Sequence, residues 1–496
     1  MLRYPSTIQE TNLYGLTPLH FAADQPEYFQ LLLWAADVRM LDHVNRLPLT
    51  VMHYVLDLSG TICHAQHDEL CGPLCPCTKC LELLLHTKCA LSTDSVTMSC
   101  VENASLLVRL KYAAEVKNRR EKLKRLALQH FTYSEIDDFG LNNGNILDSQ
   151  TTRVVERLQI RNVPVPTSLG VNYPCPAKYH HVSLYQFLPR LRDAEIFFSL
   201  GFRDFNTVNE LGFPMLAAFA EEGRSLPYLL WLSEHGAQLY HRLDYTSHTP
   251  AAQRIWGATS AHSIFGCIGR RLSSRAHFDH DTATAFDSLQ LKIMPVEITD
   301  ECHCSCSLGG CSPFLWMLKN MLQHCDQGYQ RLVQELSWYI RHHGSNMALQ
   351  HHKECIRFMT FEALAIQHTC CAAGSHSYRV PNYDDEDVGE IEEDQAYVLE
   401  TLEHLVLDFE DKVTEILERE SVDTLTALAE FWTGYWCERI GEVLNELDDC
   451  EISPDEKAGA EMLGIRWENN APVEKQIPKE DKSDINYWYR RINEIA

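Results

Sequence analysis

The chain has 496 residues, of which 45% are hydrophobic, a composition typical of a folded protein with several domains or one extended array. Its formal net charge is −26, and −23 of it falls from Tyr383 onward, where 33 acidic residues stand against 10 basic ones. A negative field repels phosphate, which argues against general nucleic-acid binding. The start, MLRYPSTIQETNLYG, lacks an apolar signal-peptide segment, and no run of ~18 apolar residues follows. We therefore expect an intracellular protein without a membrane span, cytoplasmic rather than nuclear.

A short motif near the start has the residues of a turn followed by a helix. In NLYGLTPLHFAA, Gly15 permits a tight turn and Pro18 suits the first turn of a helix. The segment EYFQLLLWAADV then predicts a second helix. The motif resembles the ankyrin repeat through Asn12, Gly15, Thr17, Pro18, Leu19, His20, Ala22 and Ala23.

The resemblance implies that the unit recurs, because one ankyrin repeat cannot bury its own hydrophobic face. We place a second copy thirty residues after the first, with Asp42, Asn45, Pro48 and Leu49 in the frame of Asn12, Gly15, Pro18 and Leu19. Degenerate further copies are NELGFPMLAAFA, GATSAHSIFG and GGCSPFLWML. Inner helices are expected to begin near Thr17, Pro48, Pro214, Thr259 and Ser312. In this pattern His20 and His262 are structural residues.

The copies fall into two groups, which predicts an all-α fold. We expect a degenerate ankyrin-repeat solenoid in two short arrays, with helical connectors and a C-terminal helical hairpin. The predicted regions are N-terminal ankyrin-like repeats with a Cys/His-rich insert (1–95), a helical connector (96–190), a second array with a cysteine-rich finger (191–382), an acidic linker (383–394), and an acidic helical region with a tail (395–496).

The connector contains one basic run, KNRREKLKR, from Lys117 to Arg125. It is either a nuclear-localisation or nucleic-acid patch, or the solvated face of a helix. Apolar residues recur around it at near-helical spacing, which favours the helix.

The acidic C-terminal region carries an apolar stripe at helical spacing. Its members are Leu399, Leu402, Leu405, Val406, Phe409, Val413, Ile416 and Leu417. A helix with this stripe is seldom stable alone in water, so it needs a partner. We expect an antiparallel hairpin with TLTALAEFWTGYWCERIGEVLNEL, docked on the end of the second array.

Two cysteine clusters have the ligand density of a zinc site. The insert contains CHAQHDELCGPLCPCTKC, and the finger contains ECHCSCSLGGC. A tetrahedral zinc ion needs four soft ligands and holds sulfur atoms ~3.7 Å apart, given Zn–S of about 2.3 Å. The predicted ligands of a structural zinc ion are Cys71, Cys75, Cys77 and Cys80 in the insert, or Cys302, Cys304, Cys306 and Cys311 in the finger.

Other interpretations of the cysteines stay open at this point. Nineteen cysteines inside a cell are either reduced, packed side chains or metal ligands, whereas disulfides are disfavoured. Alternate residues of an extended finger point to one face but lie too far apart for one ion, so the chain would have to curl at Gly309 and Gly310. Cys370 and Cys371, after His368, form a small buried element or complete a site near Cys302.

No catalytic motif stands out, since the chain has no G-x-S-x-G, P-loop, G-x-G-x-x-G or H-E-x-x-H. We expect a non-enzymatic scaffold that binds an unidentified protein partner, with no cofactor other than a structural zinc ion. The alternative is a zinc-dependent sensor or enzyme that uses the Cys/His clusters. The chain also resembles fungal ankyrin-containing proteins of uncharacterised function, through CHCSCSLGGCSP and RFMTFEALAIQHTCC. That resemblance implies the fold and no particular activity.

Overall fold

The computed structural model describes residues 9–43, 45–46, 49–65, 69–72, 75–87, 89–91, 104–170, 183–188, 190–208, 212–243, 257–273, 279–307, 309–323, 328–369, 385–419, 423–448 and 462. These residues form helices joined by turns, and no strand occurs among them. Two isolated bridges pair Val208 with Pro214 and Arg242 with Thr259. The all-α prediction is therefore confirmed for this part of the chain. None of its helices is long and apolar enough to cross a membrane.

The helices up to residue 170 are α1 (Pro18–Phe21), α2 (Pro26–Ala35), α3 (Val38–Leu41), α4 (Val51–Ile62), α5 (Lys79–Leu85), α6 (Leu106–His130), α7 (Tyr133–Asp138) and α8 (Thr151–Ile160). Short 3₁₀ turns lie at Pro76–Thr78 and Thr167–Leu169.

The later helices are α9 (Leu191–Ser199), α10 (Met215–Glu221), α11 (Leu226–Glu234), α12 (Ser260–Ser273), α13 (His280–Ile293), α14 (Pro313–Gln323), α15 (Gly328–His343), α16 (Leu349–Ala363), α17 (Asp385–Asp394), α18 (Ala396–Glu418), α19 (Thr424–Phe431) and α20 (Cys437–Asp448). A π-helical turn, Trp432–Trp436, joins the last two, and 3₁₀ turns lie at Leu184–Phe187 and Gly344–Asn346.

The chain divides into two compact units, Met1–Cys437 and Glu438–Ala496. The second unit is described only from 438 to 448 and at Met462, and its helical part contains the ion pair Arg439–Glu442 at 2.8 Å. The architecture below concerns the first unit.

One turn geometry recurs in front of four helices. A glycine with positive φ lies three residues before the first residue of each of these helices. These glycines are Gly15, Gly212, Gly257 and Gly310, with φ of 76°, 78°, 67° and 103°. Residues with a Cβ seldom adopt this conformation, which explains why glycine stands there. The helices that follow are α1, α10, α12 and α14, and they begin within a residue or two of the positions predicted from the sequence.

A threonine–histidine cap recurs at the starts of α1, α4 and α12. The Oγ1 atom of the threonine lies 2.8–2.9 Å from Nδ1 of a histidine three residues later, in the pairs Thr17–His20, Thr50–His53 and Thr259–His262. Each histidine Nδ1 also accepts the backbone N–H of its threonine. These contacts satisfy N–H groups that a helix start leaves without an intrahelical partner.

The side-chain contacts of Asn12 and Asn45 correct the predicted register between the first and second copies of the N-terminal motif. Asn12 Oδ1 accepts the N–H of Leu16, and Asn45 Oδ1 accepts the N–H of Leu49, so Asn45 is equivalent to Asn12. The offset between the first and second copies of the motif is therefore 33 residues rather than the predicted thirty. Helix α4 begins at Val51, three residues after the predicted Pro48, because the side chains of Asn45 and Thr50 set its start.

The later helices form two rows that contact each other side by side. One row is α10, α12, α14, α16 and α18, in which each helix contacts the next. The other row is α9, α11, α13, α15 and α19; within it, Gln290 Nε2 of α13 donates to the His343 carbonyl of α15 at 3.0 Å. The first helices repeat this arrangement, since α1 contacts α4 and α2 contacts α5.

The long helix α6 lies between the two sets of helices and contacts α4, α5, α8 and α9. Its Arg109 forms a buried ion pair with Asp193 of α9 at 2.7 Å. Its basic run was expected to be a solvated face, but Arg119 and Arg120 are each only 6% exposed. Arg119 donates to the carbonyl oxygens of Cys89 and Ser168, so part of the run serves packing. Burial of the long side chains explains the difference.

The C-terminal helices pack on α15 and α16. Helix α18 contacts α16 and α19, and α19 contacts α15. The rings of Phe409 and Phe431 lie 6.0 Å apart, and Tyr435 Oη donates to Asp408 at 2.9 Å. In each pair the two residues lie at nearly equal distances along the chain from the connection between α18 and α19. This is the pairing of an antiparallel hairpin. The segment expected to be an acidic linker, 383–394, is helical from Asp385 to Asp394, and most of that helix is exposed.

Candidate metal centres

Four thiols converge at the end of α4 and the start of α5. The Sγ atoms of Cys63, Cys71, Cys75 and Cys77 all lie within 4.8 Å of one another. The Cys71–Cys77 separation is 3.5 Å and the Cys63–Cys75 separation is 3.8 Å. A disulfide requires about 2.05 Å, whereas a tetrahedral zinc ion with Zn–S of about 2.3 Å requires about 3.7 Å. The observed separations are those of ligands around one ion.

Local structure brings the four thiols together. Cys63 is the residue that ends α4, and Cys75 immediately precedes the 3₁₀ turn Pro76–Thr78 that leads into α5. Between them the chain reverses, with a backbone hydrogen bond from Cys75 N–H to the Gly72 carbonyl at 3.0 Å. The cluster, defined here as the four-thiol site, therefore spans a helix end, a loop and a helix start.

Hydrogen-bond donors surround the four-thiol site. Burial raises the pKa of the Cys75 thiol, but the backbone N–H groups of Cys77 and His64 point at its sulfur and lower the pKa to about 7. Burial raises the pKa of Cys77, and Ser105 Oγ donates to its sulfur at 3.4 Å. Donors of this kind orient and stabilise metal-bound thiolates.

The structure brings the predicted ligands Cys71, Cys75 and Cys77 together, but with Cys63 and not with Cys80. Cys80 is 2% exposed and shares the buried face of α5 with Leu81 and Leu84. Burial raises its pKa to about 12, and the nearby carboxylates of Asp24 and Glu27 act in the same direction. A thiol in this environment behaves as a small core side chain. Cys63 takes its place because the loop returns the chain to the end of α4.

The cysteines of the finger divide between two groups. Cys304 and Cys306 lie with His368, their ligand atoms within 4.8 Å of one another, whereas Cys302 and Cys311 lie with Asp300. The structure therefore does not bring the four predicted ligands of the finger together in one group. The finger is not extended, because the Ser307 N–H donates to the Cys304 carbonyl at 3.1 Å and closes a turn.

His368, in the first group, has the hydrogen-bonding arrangement typical of a metal-binding histidine. His368 Nδ1 lies 3.7 Å from Cys304 Sγ, and Nε2 lies 2.5 Å from Glu362 Oε1. A carboxylate on the far nitrogen fixes the ring and leaves the near nitrogen for a metal. We call Cys304, Cys306 and His368 the finger site. Sequence reasoning brought Cys370 and Cys371 to the finger as one alternative and did not identify His368 or Glu362 as members of a site.

Asp300 in the other group is a structural residue. Its Oδ1 accepts the backbone N–H groups of Cys302 and Cys311, at 3.1 and 2.6 Å, and Oδ2 accepts Trp316 Nε1–H at 3.0 Å. Burial raises its pKa to about 6. With both oxygens engaged, this carboxylate joins the two ends of the finger, and the group is a poor metal site.

Three ligand candidates, His67, Cys370 and Cys371, lie outside the described residues.

No model of a known protein family matches the chain, and no curated protein matches it.

Proposed function

We propose that this protein is a non-catalytic scaffold that binds another protein through a stack of ankyrin-like helix pairs. The recurrent glycine turns, the Thr–His caps and the 33-residue offset between Asn12 and Asn45 support the ankyrin-like character of the units. Stacked pairs of this kind provide a rigid, extended surface whose residues need little further ordering on binding.

The observation that carries the proposal is a cluster of exposed apolar side chains on the first helix pair. On α2, Tyr28, Leu31 and Trp34 are 57%, 53% and 76% exposed. Their spacing of three residues places them on one side of the helix, while Phe29 and Leu32 are buried on the other. Leu13, Tyr14 and Phe21, in the turn and helix that precede α2, are exposed as well. We call the exposed side of α2, formed by Tyr28, Leu31 and Trp34, the α2 surface.

Exposed apolar side chains scattered singly are ordinary, but a contiguous cluster marks an interaction site. Tryptophan and tyrosine contribute large contact areas at low entropic cost and dominate binding energy in many interfaces. The expected partner is another protein with a complementary apolar surface. A nucleic acid is disfavoured by the net charge of −26.

The four-thiol site agrees with a scaffold better than with an enzyme. Four protein thiols fill a tetrahedron around one ion, whereas catalytic zinc sites keep one position for water or substrate. A metal held there would stabilise the loop between α4 and α5. This arrangement counts against the alternative of a zinc-dependent enzyme at that site.

The test is retention of a partner from the source cell by the immobilised full chain. The variant combines Tyr28→Ser, Leu31→Ser and Trp34→Ser, and the matched control combines Tyr133→Ser and Tyr397→Ser, which remove exposed tyrosines, 82% and 66% exposed, from other helices. Because all five side chains are exposed, both variants should fold, which circular dichroism checks.

We expect a partner that wild type and control retain equally and that the α2 variant loses by at least about tenfold. Equal retention by all three chains would exclude the α2 surface as the binding site. If wild type retains no protein beyond what resin without the chain retains, the scaffold proposal itself fails.

A further inference from the structure

We propose that Cys63, Cys71, Cys75 and Cys77 bind one zinc ion as a closed structural site. All four sulfur atoms lie within 4.8 Å of one another, and the Cys71–Cys77 and Cys63–Cys75 separations, 3.5 and 3.8 Å, bracket the edge of a tetrahedron around zinc. Four thiolates select zinc or iron–sulfur clusters, and sulfur atoms this close together surround a single ion rather than a cluster.

A divalent cation would change the electrostatics of the site. Four thiols at this distance cannot all ionise together, because like charges disfavour each other's ionisation. A divalent ion reverses this, since each thiol releases its proton to the solvent and forms a metal–sulfur bond. The remaining negative charge faces the N–H groups of His64 and Cys77 and the hydroxyl of Ser105.

The bound ion would connect three helices. Cys63 ends α4 and Cys77 lies in the turn that begins α5. Ser105, the N-cap of α6, donates to the Cys77 sulfur at 3.4 Å and receives its own contact from α4, where Ser59 Oγ accepts the Ser105 N–H at 3.3 Å. Zinc at this point therefore fixes the reversal between α4 and α5 against α6.

The experiment measures zinc per chain in full-length protein purified under reducing conditions without chelator. Cys63→Ser removes a ligand, and Cys80→Ser is the matched control, because Cys80 was the ligand that spacing alone predicts. We expect Cys63→Ser to hold one equivalent less than wild type and Cys80→Ser to hold the same amount. Cobalt should give the absorption bands of a tetrahedral thiolate centre in wild type and in Cys80→Ser, and weaker bands in Cys63→Ser.

Equal metal content in Cys63→Ser and wild type would overturn the proposal. Less than about a tenth of an equivalent in wild type, or iron in place of zinc, would also overturn it.

If Cys63→Ser does not fold, alkylation of wild type followed by mass spectrometry decides instead. The four thiols should react only after a chelator is added, and reaction without chelator would overturn the proposal. None of these results bears on partner binding at the α2 surface.

A different observation supports a second zinc ion, at the finger site. We infer that Cys304, Cys306 and His368 bind it, because Glu362 holds the far nitrogen of His368 and leaves Nδ1 beside the Cys304 sulfur. The turn that carries the two cysteines is itself fixed, since Arg357 Nε donates to the Ser305 carbonyl at 2.8 Å. Ligands from two segments 62 residues apart would thus be joined.

His368→Ala should lose one equivalent of zinc that Cys63→Ser retains, while His303→Ala, which removes an exposed histidine beside Cys304, should lose none. Glu362→Gln should weaken zinc binding by about 10–100-fold in competition with a chelating dye, as outer-shell carboxylates do elsewhere. Unchanged zinc content in His368→Ala, in a chain that is folded by circular dichroism, would overturn this second site. If His368→Ala does not fold, unchanged affinity in Glu362→Gln has the same meaning.

Discussion

Two leucines of the first turn differ completely in their surroundings. Leu19 is fully buried in the core, whereas Leu13 is 81% exposed. Leu19→Asp should lower the free energy of unfolding by about 3–5 kcal/mol, because it removes an apolar contact and buries a carboxylate without a partner. Leu13→Asp should change it by less than about 0.5 kcal/mol. Urea denaturation of both variants provides the comparison, and similar losses would show that the first helix is not part of the core.

His262 stabilises the fold only in its neutral form. Its Nδ1 accepts the Thr259 N–H at 3.0 Å, and its Nε2–H donates to the Cys311 carbonyl at 2.9 Å, in the turn before the next helix. Burial lowers its pKa from 6.5 to about 4. Between these values the unfolded chain binds a proton that the folded chain does not, so this contribution to stability is present above pH 6.5 and is lost as the pH falls toward 4.

The variant His262→Gln tests this dependence. The difference in unfolding free energy between wild type and variant should shrink as the pH falls, by up to about 1.4 kcal/mol per pH unit between pH 6.5 and 4. Urea midpoints measured across the range provide the profile. Parallel profiles for the two chains would mean that His262 titrates normally in the folded state.

At the scale of helices, the closest packing is that of α12 against α14. A Cβ atom at Gly269 would lie 2.3 Å from the Met317 carbonyl oxygen, so only glycine permits this approach. Gly269→Ala should therefore lower stability by about 1–3 kcal/mol through overpacking. In Gly389→Ala the new Cβ, on the exposed helix α17, meets nothing within 4 Å and should stabilise the chain by up to about 1 kcal/mol. Thermal unfolding of the two variants should shift in opposite directions; a shared direction would contradict the packing.

Helices α18 and α19 depend on contacts with earlier helices. Leu402, Leu405 and Phe409 of α18 are buried, and Lys353 of α16 pairs with Glu410 of α18 at 2.6 Å. Trp436 Nε1–H donates to Thr360 of α16 at 3.2 Å. The acidic side chains thus lie outward or are paired, while the apolar stripe is covered, which allows a strongly acidic segment to fold against the rest of the first unit.

For the whole molecule, this packing predicts the pattern of limited proteolysis. Residues 395–437 should resist cleavage under native conditions, because cutting requires local unfolding of buried helices. Cleavage should instead begin in the exposed helix 385–394. Mass spectrometry of the early fragments identifies the sites, with urea-treated protein as the control that all sites are susceptible. Early cuts spread through 395–437 would contradict a docked hairpin.

The sequence by itself determined the features that depend on neighbouring residues. Gly15, Gly257 and Gly310 mark turns because a positive φ is a property of the single residue, and Thr17 marks a helix start because its cap closes within three residues. The stripe of α18 was likewise readable from helical spacing. One prediction from local sequence was nevertheless wrong. Pro48 suggested a helix start, whereas the helix begins three residues later, after the side-chain contacts of Asn45 and Thr50.

Only the tertiary structure decided which cysteines meet. Spacing selected Cys80, but the core takes that side chain and the reversal after α4 supplies Cys63 instead. Likewise, the backbone N–H groups of Cys302 and Cys311 donate to Asp300, which holds these two residues in a separate group. Cys304 and Cys306 instead lie beside His368, which comes from a later segment of the chain. A metal site requires ligand atoms from distant parts of the chain to lie within a few ångströms and to point inward. Those distances are set by how helices pack, whereas a cap or a turn is set by bonds within a few residues.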